Sequence, residues 1–294
     1  LSDGSVDTLI LEEEKARKYI GGRGLAARVL FDTLPSGCDP LGPDNTLVFM
    51  TGPLAATRFA GSARYVVMAR SPLTGFIGES YAGGSFAHSL KRAGFDGIVL
   101  QGRSPEPVYI TINDSEVRIH PAENIWGKTT GEAMEAFIGL HGGDYEMAMI
   151  GPAGEKGVLC ACIMQGLARA AGRTGMGAVM GSKNLKAVLV HGRGKTPLYD
   201  PARTADLTKN NAKFLVEDPS VQGFRKFGTG AAIDAFNELG NFPTQNFREG
   251  NFEHFGRISG NDFMKVMIRK ESCIDCPVRC KKVVVIMESP SGPV

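Results

Sequence analysis

The chain has 294 residues, 33 basic against 31 acidic for a formal charge of +2, with 43% hydrophobic and 22% charged positions. That balance excludes an intrinsically disordered chain, and it lacks the basic excess of a dedicated nucleic-acid binder. Its 38 Gly and 16 Pro exceed the roughly 12% average share by about half, without the G-X-Y period of collagen. No apolar run approaches the roughly 18 residues of a membrane span; the longest, such as Val283 to Met287, are about five. The length suits one large or two medium domains. Leu1 to Ile10 carries Asp3 and Asp7 and no basic n-region, unlike a signal peptide, so a cytoplasmic location is expected.

In chain order, residues 12–34 read as two helices, Glu12 to Ile20 and Leu25 to Leu34, broken by Gly21-Gly22. Leu47 to Met50 and Tyr65 to Met68 are short apolar runs bounded by Gly and Pro, as buried strands are. Phe86 to Arg92 reads as a helix and Gly97 to Leu100 as a strand. Val108 to Ile112 and Glu116 to Ile119 form a hairpin around Asn113-Asp114. Glu132 to Leu140 is a helix, and Met147 to Ile150 and Leu159 to Met164 are strands. Beyond Tyr199 the texture changes: Pro201 to Val216 and Ala231 to Leu239 are helical, with aromatic-rich loops around Phe242, Phe247 and Phe252.

Asp96 to Tyr109 (DGIVLQGRSPEPVY) resembles Lys186 to Tyr199 (KAVLVHGRGKTPLY), with Gly102, Arg103, Pro107 and Tyr109 matching Gly192, Arg193, Pro197 and Tyr199. Each copy follows a Gly-rich stretch and a short helix. Two such copies are too few and too long for a solenoid. They predict a duplicated α+β unit within one domain, with a boundary near residue 200.

Cys273, Cys276 and Cys280 form a C-x2-C-x3-C run. Three thiolates this close can converge on one metal centre. A [4Fe–4S] cluster takes four cysteines, commonly three local and one remote; structural zinc more often uses two C-x2-C knuckles, and no second pair exists. The order is also the reverse of the C-x3-C-x2-C radical-SAM spacing. The fourth ligand is one of Cys38, Cys160 and Cys162 or lies beyond residue 294. Cys160 and Cys162, two apart on an expected strand, should face the same side.

Gly21 to Ala27 contains a loose G-x-G-x-x-A pattern, but a helix precedes it and no acidic residue closes a βαβ unit, so a Rossmann reading fails. Ala82-Gly83-Gly84-Ser85 and Gly172 to Gly177 each precede a short helix. They read either as plain turns or as places where backbone N–H groups receive a phosphate. Arg64, Arg169 and Arg173 could add charge-assisted hydrogen bonds. The five histidines are scattered and read as surface or packing residues.

In order along the chain stand Arg64-Tyr65-Val66-Val67, Ser71 to Phe76, Gly83-Gly84, Ala93 to Asp96, Ile125 to Lys128, Ile150 to Glu155, Arg169 to Arg173, Gly177 to Ala187 and the three cysteines. Together these segments resemble the tungsten-containing aldehyde:ferredoxin oxidoreductases. The resemblance implies an α+β fold: a duplicated two-sheet pterin-binding domain over 1–200, then the beginning of a mainly α-helical iron–sulfur domain over 201–294. It implies a bis-pyranopterin cofactor of tungsten or molybdenum, contacted at Gly83, Arg169, Ala170, Gly172 and Arg173. Cys273, Cys276 and Cys280 would ligate a [4Fe–4S] cluster, and Arg64 would lie between cofactor and cluster. Tyr81 departs from the family's usual Asn; a backbone carbonyl there could still serve a bridging magnesium.

The implied reaction oxidises a small aldehyde with water to a carboxylic acid, passing electrons to ferredoxin or another low-potential carrier. Reduction of an aromatic acyl-thioester is the variant within the family, and a non-catalytic iron–sulfur electron-transfer subunit is the variant outside it. The fourth cysteine, the second pterin motif and the acid/base residues lie downstream in the family, so the chain reads as part of a longer, anaerobic, cytoplasmic enzyme. A homo-oligomer is possible on this resemblance; nucleic-acid and membrane partners are not expected.

Overall fold

The structure is a computed structural model that describes residues 1–285. The last residues of the Val283–Met287 run, and of the expected second domain, therefore lie outside the described residues. The chain divides into two compact units, one formed by Leu1–Arg58 with Ser62–Tyr199, the other by Phe59–Gly61 with the chain from Asp200 onward.

The first unit opens with α1 (Glu13–Tyr19) and α2 (Gly22–Thr33). The chain reverses between them where Ile20 and Gly21 both take positive φ. A four-stranded sheet follows, built from β1 (Leu47–Thr51), β2 (Tyr65–Arg70), β3 (Ile77–Ala82) and, after α3 (Phe86–Arg92), β4 (Gly97–Leu100). The spatial order is β3-β2-β1-β4, all antiparallel. The hairpin β5 (Val108–Asn113) and β6 (Glu116–Pro121) comes next, then α4 (Thr130–His141). Thr129 and Glu132 close a reciprocal capping box at the start of α4. The second sheet is completed by β7 (Glu146–Met149), α5 (Pro152–Glu155), β8 (Ile163–Gln165), β9 (Arg169–Ala171), α6 (Met176–Ser182) and β10 (Leu185–His191). Its order is β6-β5-β10-β7-β8-β9.

The duplication is visible in this topology. In each copy three strands form an antiparallel meander, a seven-residue helix follows, and the last strand returns antiparallel beside the first. Thus β1-β2-β3-α3-β4 corresponds to β7-β8-β9-α6-β10, and the β5–β6 hairpin extends only the second sheet, with β5 parallel to β10. The matching glycines serve different ends. Gly102 has φ +72°, whereas a Cβ on Gly192 would lie 2.0 Å from Ser89 O.

Strands buried on both faces read as unbroken apolar runs, and each side chain finds its own layer. Leu47, Phe49, Tyr65 and Val67 join Ile150, Ile163, Val188 and Val190 in a core shared by the two sheets, α3 and α6. Their neighbours Val48, Met50, Val66 and Met68 pack under α2. Met147, Met149, Ala187 and Leu189 pack under α4 with Phe137.

Several elements differ from expectation. The strand expected over 159–164 is only Ile163–Gln165, and Cys160 sits in a turn before it. The two cysteines therefore do not share a strand face. The edge strand β3 is unannounced in the sequence because its inward residues are Gly78, Ser80 and Ala82.

The second unit consists of α7 (Pro201–Glu217), α8 (Pro219–Phe227), α9 (Ile233–Glu238) and α10 (Gly260–Val266), followed by the hairpin β11 (Met267–Glu271) and β12 (Lys281–Val284). Asp200 and Asp218 cap α7 and α8, each with Pro at the start of the helix. Besides this hairpin the described residues of the unit hold an isolated antiparallel bridge, Thr244 to Glu249, and the charged segment Met267–Glu271 does not betray the hairpin.

Candidate functional site

The residues expected to carry chemistry fall in two groups, one in each unit. The first lies where the two repeats of the first unit meet along β3 and β9. Tyr81 and Glu79 point outward from β3; Arg23 Nη1 lies 3.3 Å from Glu79 Oε1, and Tyr81 Oη donates to Glu79 Oε2 at 3.3 Å. Partial burial, then the Glu79 carboxylate, raise the Tyr81 phenol above its ordinary pKa. The inward side of the strand meets the other repeat. Arg173 N donates to Ser80 Oγ at 3.0 Å, and Ser71 Oγ donates to Thr174 O at 2.8 Å.

Close approach dictates the glycines here. A Cβ on Gly78 would sit 2.8 Å from Thr174 Cβ, and one on Gly84 would sit 1.7 Å from Gln165 Oε1. Gln165 pairs with Arg169 across β8–β9. The Gly83-Gly84 turn thus lies against the strand end that carries Arg169. Tyr65 pairs with Ala82 at the end of the β2–β3 ladder, so Arg64, just before β2, and Gly83, just after β3, flank that end. All seven residues expected at the pterin therefore fall on neighbouring edges of one unit. Arg64, Tyr81, Ala170, Gly172 and Arg173 are exposed, Arg169 is half-buried and Gly83 is buried.

Of the two readings of Gly172 to Gly177, the burial of α6 favours the plain turn at its start. Residues Met176–Gly181 are buried, and Gly177 N already donates to Ala161 O at 2.9 Å. Gly175, at φ +72°, lies against Leu159 O with no room for a Cβ. The groups open to solvent beside it are instead Ala170, Gly172 and Arg173, with Arg169 half-buried.

A buried polar junction, missed in the sequence, lies at the start of the strand β10. Lys186 and Glu155 form an ion pair with side chains 0% and 4% exposed. Lys186 Nζ also donates to Lys128 O at 2.8 Å, and Glu155 Oε2 accepts from Gly127 N at 2.8 Å. Lys183 is equally buried and donates to Gly102 O at 2.9 Å and Pro43 O at 3.3 Å. Burial pulls its pKa down from 10.5 to about 8. Both lysines sit among motifs that read as polar, and their burial follows from the strand they precede or open, β10, at the centre of its sheet.

The second group is the loop between β11 and β12. Glu271 pairs with Lys281 across the hairpin, and the loop between them carries Cys273, Cys276 and Cys280, all half-buried free thiols. Cys276 N donates to Cys273 O at 3.2 Å, and the chain turns at Asp275 and Arg279, both at positive φ. Gly228 abuts the loop closely: a Cβ there would be 2.3 Å from Cys280 O. Lys282 Nζ donates to Arg279 O at 2.8 Å and Arg225 O at 3.0 Å. Glu271 accepts from Lys281 and Arg269, which hold its carboxyl at about 2. Among the described residues no three His, Cys, Asp or Glu side chains are gathered as a metal site. The donor set nonetheless suits iron–sulfur chemistry: three thiols on one short loop in a basic setting. Cys38, Cys160 and Cys162 belong to the first unit.

A duplicated two-sheet unit followed by a helical unit with a three-cysteine loop defines a class of oxidoreductase, and comparison with known proteins agrees. Residues 1–192 match the aldehyde ferredoxin oxidoreductase N-terminal domain, and residues 206–293 match domains 2 and 3 of the same family. The chain belongs to the aldehyde ferredoxin oxidoreductase family. It is 40% identical over 287 residues to the tungsten-containing aldehyde ferredoxin oxidoreductase of Pyrococcus horikoshii, covering 96% of this chain and 47% of that protein. It is 34% identical over 310 residues to the WOR-like subunit of an aliphatic sulfonate oxidoreductase of Pyrococcus furiosus, covering 99% and 49%. The active-site complex BamBC of benzoyl coenzyme A reductase superposes with a TM-score of 0.84 at 32% identity, covering 100% of this chain and 47% of that one. The chain thus spans about half the length of the relatives it matches. Among the described residues no helix is long and apolar enough to cross a membrane.

Proposed function

We propose that this chain forms the cofactor-binding part of a cytoplasmic tungsten or molybdenum oxidoreductase that converts an aldehyde and water to a carboxylic acid, two protons and two electrons. The observation that carries this reading is the convergence of Arg64, Tyr81, Gly83, Arg169, Ala170, Gly172 and Arg173 on adjoining edges of the first unit. A bis-pyranopterin cofactor supplies oxygen insertion at the carbonyl and accepts two electrons when bound. Arg169 and Arg173 would bind its phosphates by charge-assisted hydrogen bonds, and the backbone at Ala170 and Gly172 would approach it without side-chain obstruction. A backbone carbonyl at Tyr81 would serve a bridging magnesium. Cys273, Cys276 and Cys280 would furnish three thiolates for a [4Fe–4S] cluster. Lys281 and Lys282 next to them would raise its reduction potential. Ferredoxin or another low-potential carrier would take the electrons.

The benzoyl coenzyme A reductase likeness supports a second reading, reduction of an aromatic acyl-thioester at the same cofactor. Anaerobic purification of the full-length protein, metal analysis and viologen-linked assays separate these readings. Tungsten or molybdenum with about four irons per chain and aldehyde-dependent viologen reduction are expected. Thioester-dependent oxidation of reduced viologen would favour the second reading. Iron without pterin would overturn both and leave an electron-transfer subunit.

A further inference from the structure

A cavity, remote in sequence from the proposed pterin contacts, opens beside the β5–β6 hairpin. It encloses about 230 Å³ and is lined by Thr111, Asn113, Glu116, Arg118, His120, His141 and Tyr145. Two rungs of the hairpin, Asn113–Glu116 and Thr111–Arg118, line it together with His120. The C-terminal turn of α4 brings His141 over it.

The two imidazoles are held alike. His120 Nε2 lies 2.8 Å from Thr111 Oγ1, and His141 Nε2 lies 2.9 Å from Tyr109 Oη. Their ring centroids are 5.6 Å apart at 61°. Tyr109 stacks on His120 at 4.9 Å and meets His141 edge-on, so neither ring is free to swing. We propose that His120 and His141 form a binding site for a divalent first-row transition-metal ion. With each Nε2–H donating to its hydroxyl oxygen, the Nδ1 lone pairs remain for the metal, in the arrangement by which outer hydroxyl or carboxylate groups orient metal-bound histidines. No third His, Cys, Asp or Glu among the described residues joins them in a metal-holding group, so water completes the coordination shell.

A cation fits this cavity better than an anion. The cavity sits at the carbonyl end of the twelve-residue α4, where the helix dipole favours positive charge. Arg118, the one permanent cation in the lining, already pairs with Glu116, its Nε 2.8 Å from Oε1. Burial lowers the pKa of both histidines, with His141 and Arg118 adding repulsion at His120. Imidazole pairs suit zinc, nickel, cobalt and copper. His191, near Tyr145, is engaged elsewhere: its Nδ1 lies 3.0 Å from Asp144 O.

Calorimetric titration of the full chain with Ni2+ alone tests the site. Wild type should take up one equivalent that both His120→Asn and His141→Asn lack, whatever the cysteines bind in all three. Tyr109→Phe, which removes only the hydroxyl beside His141, should weaken that equivalent about 10–100-fold. Unchanged uptake in both histidine variants overturns the proposal. Should the variants misfold, Co2+ added to wild type decides: the His120 and His141 ring-proton resonances should broaden before those of His88, His191 and His254. Broadening without that preference, or none, refutes the site.

Discussion

The Glu155–Lys186 pair offers a sharp test of how the first unit is held together. Lys186→Met keeps the aliphatic stem and removes the ammonium. It strands a carboxylate that is 4% exposed, and leaves Lys128 O without its buried donor. Breaking a buried pair from one side costs about 3–5 kcal/mol. At roughly 2–4 °C per kcal/mol for a domain near this size, the melting temperature should fall by about 10 °C. The double variant Lys186→Met/Glu155→Leu removes both charges but leaves Gly127 N and Lys128 O unpaired, a residual cost of about 2 kcal/mol. The double variant should therefore be more stable than the single one. Urea denaturation at pH 7, followed by circular dichroism, measures all three proteins. A single variant within about 1 kcal/mol of wild type would refute the reasoning. So would a double variant less stable than the single.

Further outcomes follow from the same packing. Lys183 is protonated up to about pH 8 in the folded chain and up to 10.5 when unfolded. Across that window the unfolded state holds more protons, so wild-type stability should rise relative to Lys183→Met by on the order of 2–3 kcal/mol between pH 7.5 and 10.5. Equilibrium unfolding across that pH range checks it, and a flat difference would contradict the buried ammonium. Gly181→Ala would put a Cβ 2.0 Å from Gly154 O and should cost about 2 kcal/mol or more in thermal melts. Gly172→Ala meets nothing nearer than Ala170 Cβ at 3.9 Å and should leave stability within about 0.5 kcal/mol, so any loss of bound pterin in that variant reports contact with the cofactor. Thr129→Ala removes the α4 capping box and should cost about 1 kcal/mol.

Residues of the candidate site were legible to different degrees. Cys273, Cys276 and Cys280 announce themselves by spacing, because thiol chemistry needs few other cues. Arg169 and Arg173 stand out beside glycines. Their nearness to Tyr81 could not be read locally, since it depends on Arg173 N meeting Ser80 Oγ across 93 positions of chain. The Gly172–Gly177 stretch read either as a plain turn or as a phosphate-receiving helix terminus; α6 is buried and its Gly177 amide is taken by Ala161. His120 and His141 looked scattered because a strand and a helix end bring them together.

By itself the sequence determined the local pieces. Apolar runs such as Leu47–Met50 specify strands buried on both faces, Thr129 with Glu132 starts a helix, and the repeat around Gly102 and Gly192 signals two related units. Tertiary structure alone decided where β3, β8 and β9 lie and what they bring together. Gly78 leaves room for the Thr174 and Met176 side chains and Ser80 receives the Arg173 amide, and small residues such as these and Ala82 leave no hydrophobic period to read. It also decided that Lys183 and Lys186 are buried. A charge enters a core only where distant carbonyls or a carboxylate await it, and those partners lie 31 to 140 positions away.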